Sequence, residues 1–471
     1  MSIAFGTEGW RAIMAEEFTV ENVCKVAQAV AGHFHNAAGA KRRLAIAVGH
    51  DTRFLSDQFA RVVCEVLAAN GIQALLTDRA IPTCAVSRYV VTNRLAGGLV
   101  VTASHNPPPY NGLKIKEAFG GSATPETVAS VERRLGRQPV KRLPFDEAAR
   151  QKQIRVVRML PAFLAGIRAS VDLKVIRRRP LRIVADPMHG TGDRLMERLL
   201  TGGRCRIETI HADPDPLFGG QAPEPIPSHL TELATTLKRR RWDVGLATDG
   251  DADRIGVVAP TGAFLNAGQV LCILLDHVVV SRGWRGAVVK TVSNTSMIDR
   301  LAEALGLKLF EVPVGFKHIA KLMLEDDVLI GGEESGGIGI KGYLPERDGI
   351  LMGLLLLEAM AQQRQGIVEI LGRLERRYGR WTYARRDLTV PRDRIDRLFK
   401  RLTINPPARI VQEAVVQVKT LDGVKLIGRD ESWLLFRRSG TEPIVRVYAE
   451  SLQTRQANRL LAFGVQLATT A

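Results

Sequence analysis

The sequence predicts a multidomain α/β protein, and three observations point that way. An apolar strand runs into a Gly- or Ser/Thr-rich loop and then an amphipathic helix near residue 44, again from 181 and again from 287. A strand, loop and helix in that order is the building block of layered α/β sheets, so three copies imply three related units. At 471 residues the chain exceeds the size at which one core keeps growing, which leaves room for three or four compact units. Residues 398–471 change character and read as a smaller α+β unit.

Composition bounds the class. Apolar content of 45% and charged content of 24% are those of a globular chain, and 43 glycines fit many tight strand-to-helix turns. The N-terminus shows no basic region followed by an apolar stretch, so no secretory signal is expected. The longest apolar stretches, 270–280 and 350–361, carry Asp276 with His277, and Glu358, and are too short and too charged to span a bilayer. Five scattered cysteines without CxxC spacing argue against disulfides and structural zinc, and a reduced cytoplasm is expected. A net charge of +17 suits nucleic acid, an acidic membrane surface or small phosphorylated molecules. No zinc-finger spacing, basic heptad or RRM-type aromatic signature accompanies it, so neither nucleic acid nor membrane is expected as a partner.

Taken in order, FGTEGWR (5–11) puts Arg11 in a glycine-flanked loop ahead of a helix over 19–35, whose Val23, Val26, Ala27, Val30 and Phe34 recur at helical spacing. A strand at 44–48 ends in GHDTR (49–53), a helix at 56–70 stops at Gly71, and a strand at 72–76 completes a βαβ pattern. The apolar run 98–101 delivers Ser104 onto the loop TASHNPP (102–108), whose prolines continue neither a ladder nor a helix. The second copy runs from 181–185 into DPMHGTG (186–192), and the third from 287–289 into KTVSNTS (290–296). Polar segments at 134–152 and 376–397 read as linkers. The last unit reads as strands at 414–420, 432–437 and 444–450, with helices at 394–402 and 456–467.

Four stretches carry chemistry. DGDADR (249–254) follows the strand 243–247 and sets three carboxylates at alternate positions, which repel one another unless a hard, oxygen-liganded cation sits among them. Magnesium is the natural candidate, because an EF-hand would need glycine and glutamate where Arg254 and Pro260 stand. GGEESGG (331–337) offers Glu333 and Ser335 to one face of an extended segment, a pair suited to a ligand rich in hydroxyl groups. The overlapping GxGxxG at 337–342 runs into Tyr343 and Pro345 instead of opening a helix, so it is no dinucleotide site. RRSGTEP (437–443) combines a guanidinium, two hydroxyls and glycine-exposed amides into a compact phosphate clamp. Each stretch taken singly also reads as an ordinary polar turn.

In this order and spacing, the four stretches resemble the α-D-phosphohexomutase family over essentially the whole chain, and FGTEGWR and VGFK (314–317) fit the same pattern. The resemblance implies three related mixed-sheet α/β units and a C-terminal α+β unit around a central cleft, bounded here at 1–147, 148–257, 258–378 and 379–471. It implies that Ser104 is phosphorylated in the active enzyme. Asp249, Asp251 and Asp253 would then bind one Mg²⁺, with the phosphoserine adding an oxygen. Arg11, Lys114 and Arg254 match basic residues near the transferring phosphate, and Glu333 with Ser335 the pair that reads sugar hydroxyls. Gly315 and Lys317 match the loop that helps choose the sugar's orientation, and Lys290 is placed with the substrate-binding residues. Arg437, Ser439, Gly440 and Thr441 match the clamp on the non-reacting phosphate.

The implied reaction moves a phosphate between C1 and C6 of a hexose phosphate through a hexose 1,6-bisphosphate, which is also the activator. Arginine is too basic to serve as general base, which leaves Lys114 or His105. Some family members end the sugar loop in histidine where this chain has Gly337. The double glutamate resembles the phosphoglucomutase branch more than the phosphoglucosamine branch, which implies glucose 1-phosphate to glucose 6-phosphate, and the alternative is dual glucose and mannose activity. A magnesium-dependent phosphatase and a non-catalytic basic binding protein are the rival readings. The expected partners are small hexose phosphates, with the protein a monomer or dimer.

Overall fold

The first three copies each build a sheet, and the strands fall in the same order in all three. The computed structural model describes residues 3–6, 9–38, 44–239, 241–438 and 443–470. The first sheet uses β1 (Gly9–Ile13), β2 (Ala45–His50), β3 (Gln73–Thr77), β4 (Gly97–Val101), β5 (Tyr110–Glu117) and β6 (Ile154–Val157), in the order β1-β5-β4-β2-β3-β6. The second uses β7 (Arg182–Asp186), β8 (Arg206–Thr209), β9 (Val244–Thr248), β10 (Ile255–Val258) and β11 (Phe264–Leu265), in the order β11-β10-β9-β7-β8. The third uses β12 (Ala287–Thr291), β13 (Leu309–Val312), β14 (Val328–Gly332) and β15 (Ile338–Ile340), in the order β13-β12-β14-β15.

Three parallel strands recur in each sheet, with β6 a fourth in the first, and the next strand turns back antiparallel: β4 to β5, β9 to β10, β14 to β15. The reversal leaves the carboxyl end of a parallel strand, where open α/β sheets take ligands. It carries residues 102–109 in the first unit, 249–254 in the second and 333–337 in the third. Three of the four chemical stretches are thus one structural position used three times. The strands that carry them, such as β9 with all five residues buried, are covered on both faces as parallel strands require.

The two long apolar stretches are core helices, Ala267–Asp276 and Gly349–Gln363, buried nearly all round in a cluster that draws on the first three units. Glu358 is accommodated there because Arg282 Nε (2.7 Å), the Asp172 amide (2.8 Å) and His277 Nε2 (3.2 Å) surround its carboxylate. No helix among the described residues is long and apolar enough to cross a membrane, and all five cysteines are free.

The fourth sheet is antiparallel throughout, in the order β16-β21-β20-β19-β18-β17. Its strands are β16 (Thr382–Thr389), β17 (Arg409–Ile410), β18 (Glu413–Lys419), β19 (Val424–Gly428), β20 (Trp433–Arg438) and β21 (Ile444–Ser451). Helices Arg392–Ile404 and Thr454–Thr470 pack on one face. The 376–397 segment is therefore no linker, since it contains β16, paired along its whole length with β21. Its charges mislead because Arg385, Asp387 and Arg446 neutralise one another across the pair. Beyond the 134–152 segment, β6 pairs with β3 and so extends the first sheet to Val157.

Candidate active site

Ser104 is fully buried and held in the left-handed backbone region, φ 53°, which a residue with a Cβ adopts only when its surroundings impose it. Arg53 imposes it. Its guanidinium donates to the carbonyls of Ser104 (2.7 Å), Asn106 (2.6 Å), Pro107 (2.9 Å) and Tyr110 (3.0 Å), while Asp51 accepts from its Nε (3.2 Å). Gly250 completes the fit, because a Cβ there would stand 2.7 Å from the Ser104 carbonyl. Sequence reasoning passed over Arg53; the signal was a charged HDTR run closing the parallel strand β2.

The metal-type loop meets this serine directly. Ser104 Oγ donates to Asp249 Oδ2 (2.8 Å) and lies 3.3 Å from His105 Nδ1. Lys114, on β5 and buried, donates to Asp251 Oδ2 (2.6 Å) and Asp253 Oδ2 (2.8 Å), so its ammonium protons are committed to the carboxylates. Burial pushes the Asp249 carboxyl well above its usual range, and the Asp253 and Asp251 charges push it further. Burial also opposes ionisation of Asp253, but Arg347, Lys114 and Arg254 outweigh it and hold that carboxyl well below its usual range. Burial, then Arg254 and Arg11, push the His105 imidazole well below its usual range, which keeps it neutral.

The donor set fits a hard divalent cation. Asp249, Asp251 and Asp253 each offer a carboxylate oxygen within 4.8 Å of the others, the only such group among the described residues. The Oδ1 atoms of Asp251 and Asp253 are buried with no hydrogen-bond partner, an arrangement that costs free energy until a cation supplies one. Neighbouring units fix the loop from both sides. Thr83 donates its hydroxyl to Asp251 Oδ2 (2.5 Å), and the Gly349 amide donates to the Ala252 carbonyl (3.0 Å).

Of the other basic residues, Arg11 Nη1 donates to Asn106 Oδ1 (2.8 Å), and Arg254, nearly buried, faces Glu224 at 3.8 Å. Both therefore sit at the serine and aspartate loops. The sugar-type loop splits its glutamates as an extended segment should. Glu333 Oε1 accepts from the Gly315 amide (3.0 Å), whereas Glu334 Oε2 accepts from the Thr291 hydroxyl (3.0 Å). Gly315, φ 127°, opens the helix Phe316–Glu325, with the half-buried Lys317 in its first turn; Ser335 is half-buried beside Glu333.

Arg347 joins these loops and was missed in the sequence. It is buried and donates to Glu333 Oε2 (3.1 Å) and Asp253 Oδ2 (2.6 Å), linking sugar-type and metal-type loops through one guanidinium. Its stem runs where a side chain at 337 would be: a Cβ on Gly337 would stand 2.2 Å from Arg347 Cδ. In this chain a side chain at 337 and the Arg347 stem as placed exclude each other.

On the fourth unit, Arg437 Nε donates to Asp422 Oδ2 (2.8 Å) and Nη1 to the Tyr448 hydroxyl (3.3 Å). Arg446 lies directly opposite Arg437 on β21, a like-charged cross-strand pair that favours an anion nearby. Ser439, Gly440 and Thr441 lie outside the described residues. Lys290 is paired with acidic residues of its own unit. Its ammonium is buried against Asp299, the Thr295 carbonyl (3.3 Å) and Glu311 (3.8 Å), at the junction of the third and fourth units.

Comparison with known proteins agrees with this architecture. Family models for phosphoglucomutase/phosphomannomutase match in sequence: α/β/α domain I at 2–139, domain II at 161–262, domain III at 266–378 and the C-terminal domain at 395–465. The chain is 30% identical to a phosphoglucomutase/phosphomannomutase of Thermococcus kodakarensis, covering 99% of this chain and 98% of the relative. It is 30% identical to a phosphoglucosamine/phosphogalactosamine mutase of Sulfurisphaera tokodaii, covering 98% of each. A crystal structure from Thermus thermophilus, provisionally described as a phosphomannomutase, superposes with a TM-score of 0.87 at 36% identity, covering 99% of both chains. With four domains in order and near-complete coverage, the chain belongs to the phosphoglucomutase/phosphomannomutase family, the α-D-phosphohexomutases.

Proposed function

We propose that this protein interconverts glucose 1-phosphate and glucose 6-phosphate, storing the transferable phosphoryl group on Ser104. The observation that carries the reading is the buried contact between Ser104 Oγ and Asp249 Oδ2, 2.8 Å, inside a carboxylate cluster with unsatisfied oxygens. Mg²⁺ held by Asp249, Asp251, Asp253 and the phosphorylated Ser104 would supply Lewis-acid charge withdrawal.

The chain's own residues account for the rest. The bond from Ser104 Oγ to phosphorus breaks as a bond forms from phosphorus to the sugar's free hydroxyl oxygen, and the product is a hexose 1,6-bisphosphate. Arg11, Lys114 and Arg254 face the charge of that group. His105 Nδ1, 3.3 Å from Ser104 Oγ, is the better placed acceptor for the serine proton when the phosphate returns and Ser104 Oγ attacks, since the protons of Lys114 are committed to Asp251 and Asp253. The bisphosphate turns end for end and returns its other phosphate to Ser104. Arg437 and Arg446 hold whichever phosphate is not reacting. Glu333, Ser335 and the loop at Gly315 and Lys317 read the hydroxyls between.

Dual action on glucose and mannose phosphates is the second reading, favoured by the name of the Thermococcus kodakarensis relative. Side-by-side turnover of glucose, mannose and N-acetylglucosamine 1-phosphates separates the substrates. Intact-mass and peptide analysis tests the mechanism: one phosphate on Ser104, lost together with mutase activity in Ser104→Ala. Active protein primed with hexose bisphosphate that never carries phosphate on Ser104 defeats the reading, and release of inorganic phosphate at the mutase rate makes the protein a phosphatase.

A further inference from the structure

One carboxylate ties the clamp of the fourth unit to the sugar-choosing loop of the third. Asp422 lies in the turn between β18 and β19, and its Oδ2 accepts from both Arg437 Nε (2.8 Å) and the backbone amide of Val314 (2.8 Å). The next amide along, Gly315, donates to Glu333 Oε1 (3.0 Å). Two consecutive amides of one loop therefore answer to two different carboxylates, one from the sugar-type loop and one from the clamp unit.

The turn that carries Asp422 is rigidly registered to Arg437. Gly423 has φ 90°, and a Cβ on it would stand 2.0 Å from the Phe436 carbonyl and 3.1 Å from Arg437 Cα. No side chain fits, so the turn lies flush on β20 and moves with the arginine. Other ties between these units include Lys425 Nζ to the Val292 carbonyl (2.8 Å), Trp433 Nε1 to Ser296 Oγ (3.0 Å), the Ser296 amide to Glu450 Oε2 (2.8 Å), Lys419 Nζ to Glu311 Oε1 (3.1 Å) and Arg300 Nη2 to Glu431 Oε1 (2.8 Å). Val314 also packs against Trp433, Leu435 and Tyr448. Among the described residues, Asp422 is the fourth-unit side chain that hydrogen-bonds to the 314–317 loop from beside the clamp.

We propose that Asp422 is a positioning residue that couples phosphate occupancy at Arg437 to the conformation of the 314–317 loop. The inference rests on Arg437 acting as a phosphate clamp. Asp422 takes the Nε edge of the guanidinium and Tyr448 meets Nη1, while Nη2 makes no hydrogen bond among the described residues and is the edge left for a ligand, although the side chain is mostly buried. A phosphate arriving there shares the guanidinium with a carboxylate of like charge. It weakens the hold of that carboxylate, and with it the bond to the Val314 amide, so the sugar-choosing loop is released when a phosphate is seated. Coupling of this kind is reciprocal: the loop's position must also alter the affinity of the clamp.

The test uses full-length protein and inorganic phosphate as the probe. In the wild type, phosphate should speed hydrogen exchange in the 312–318 segment. Asp422→Asn keeps an acceptor of the same shape without its charge. It should bind phosphate about threefold to tenfold more tightly and abolish the phosphate response of that segment, the size expected for one nearby charge in a partly screened site. A merely structural role predicts the opposite sign, weaker phosphate binding through a loosened clamp. Arg437→Ala separates the two layers. If it leaves phosphate affinity unchanged, the clamp reading fails and this coupling falls with it. If it abolishes binding while Asp422→Asn shows neither tighter binding nor a lost exchange response, the coupling alone is wrong.

Discussion

Around Ser104 three units converge and water is excluded: Ser104, Asp249, Asp251 and Asp253 are all fully buried, and Arg53 and Lys114 nearly so. Around Arg437, itself buried on the interior strand β20, the neighbouring charges are half-exposed. Asp422 is 24% exposed, Asp387 38% and Arg446 31%, and the partners come from the fourth unit except for the single reach to Val314. The first region suits a group transferred at one fixed point, where preorganised charge in a dry site acts with little reorganisation. The second suits a grip that must take a phosphate from either end of a turning intermediate and let it go. On the proposed function, position is over-determined where the bond would be made and lightly tethered where the ligand would be exchanged.

The largest break in that contrast comes from Arg53→Met. It removes a guanidinium that satisfies four loop carbonyls and leaves Asp51 as a buried charge, so stability should fall by about 3–5 kcal/mol in a urea titration. Turnover should fall by about a hundredfold or more through misplacement of Ser104 alone. Arg437→Ala should leave the fold within about 1–2 kcal/mol of the wild type, since its partner Asp422 can turn to water. It should raise KM for the hexose phosphate by about tenfold to a hundredfold, with a smaller effect on kcat. Equal stability losses for the two would erase the distinction between the ends. Gly337→Ala probes the link between metal-type and sugar-type loops, because its new methyl meets the Arg347 stem. A loss of about 1–3 kcal/mol and about tenfold in turnover is expected, read from thermal unfolding and initial rates.

Much of this contrast was legible in the chain. The Asp cluster, the serine loop and the paired glutamates announce themselves because each occupies the reversal after a parallel strand, where apolar residues stop and polar ones must have a purpose. What escaped are residues whose role exists only across units. Arg53 and Arg347 sit in unremarkable charged runs, and their partners lie 51 and 94 positions away for the closest contacts to Ser104 and Asp253. Lys290 shows the converse case. A lysine at the end of a strand in the third copy looks like a substrate cation, but Asp299 and Glu311 neutralise it in place. β16 was hidden because one face carries Tyr383, Arg385 and Asp387 and the other offers only Ala384 and Leu388 as apolar residues, so no apolar alternation shows.

The smallest expected effect also separates the ends, through pH. His211 supports the serine end: it bridges Asp186 Oδ1 (3.0 Å) and Glu232 Oε2 (3.2 Å) beside the 186–192 loop, whose Thr191 amide donates to the Gly250 carbonyl (3.0 Å). Its hydrogen bond to Asp186 is the largest influence on the imidazole and, with the nearby carboxylate charges, raises it from 6.5 to about 9. That contribution is complete below about pH 6.5 and is lost as pH rises through about 9. Lys425 ties the clamp unit to the Val292 carbonyl, over the Trp433 ring, with Glu311 and Lys290 nearby. Burial, reinforced by Lys290, pushes its ammonium from 10.5 down to about 7, so its cost to stability is complete below about pH 7 and is relieved as pH climbs toward 10.5. Between about pH 7 and 9 the two groups therefore give slopes of opposite sign. His211→Asn should make the urea midpoint rise more steeply with pH across that window, and Lys425→Met should make it fall. Matching slopes in the two variants would mean that the ends do not differ in how their supporting charges are held.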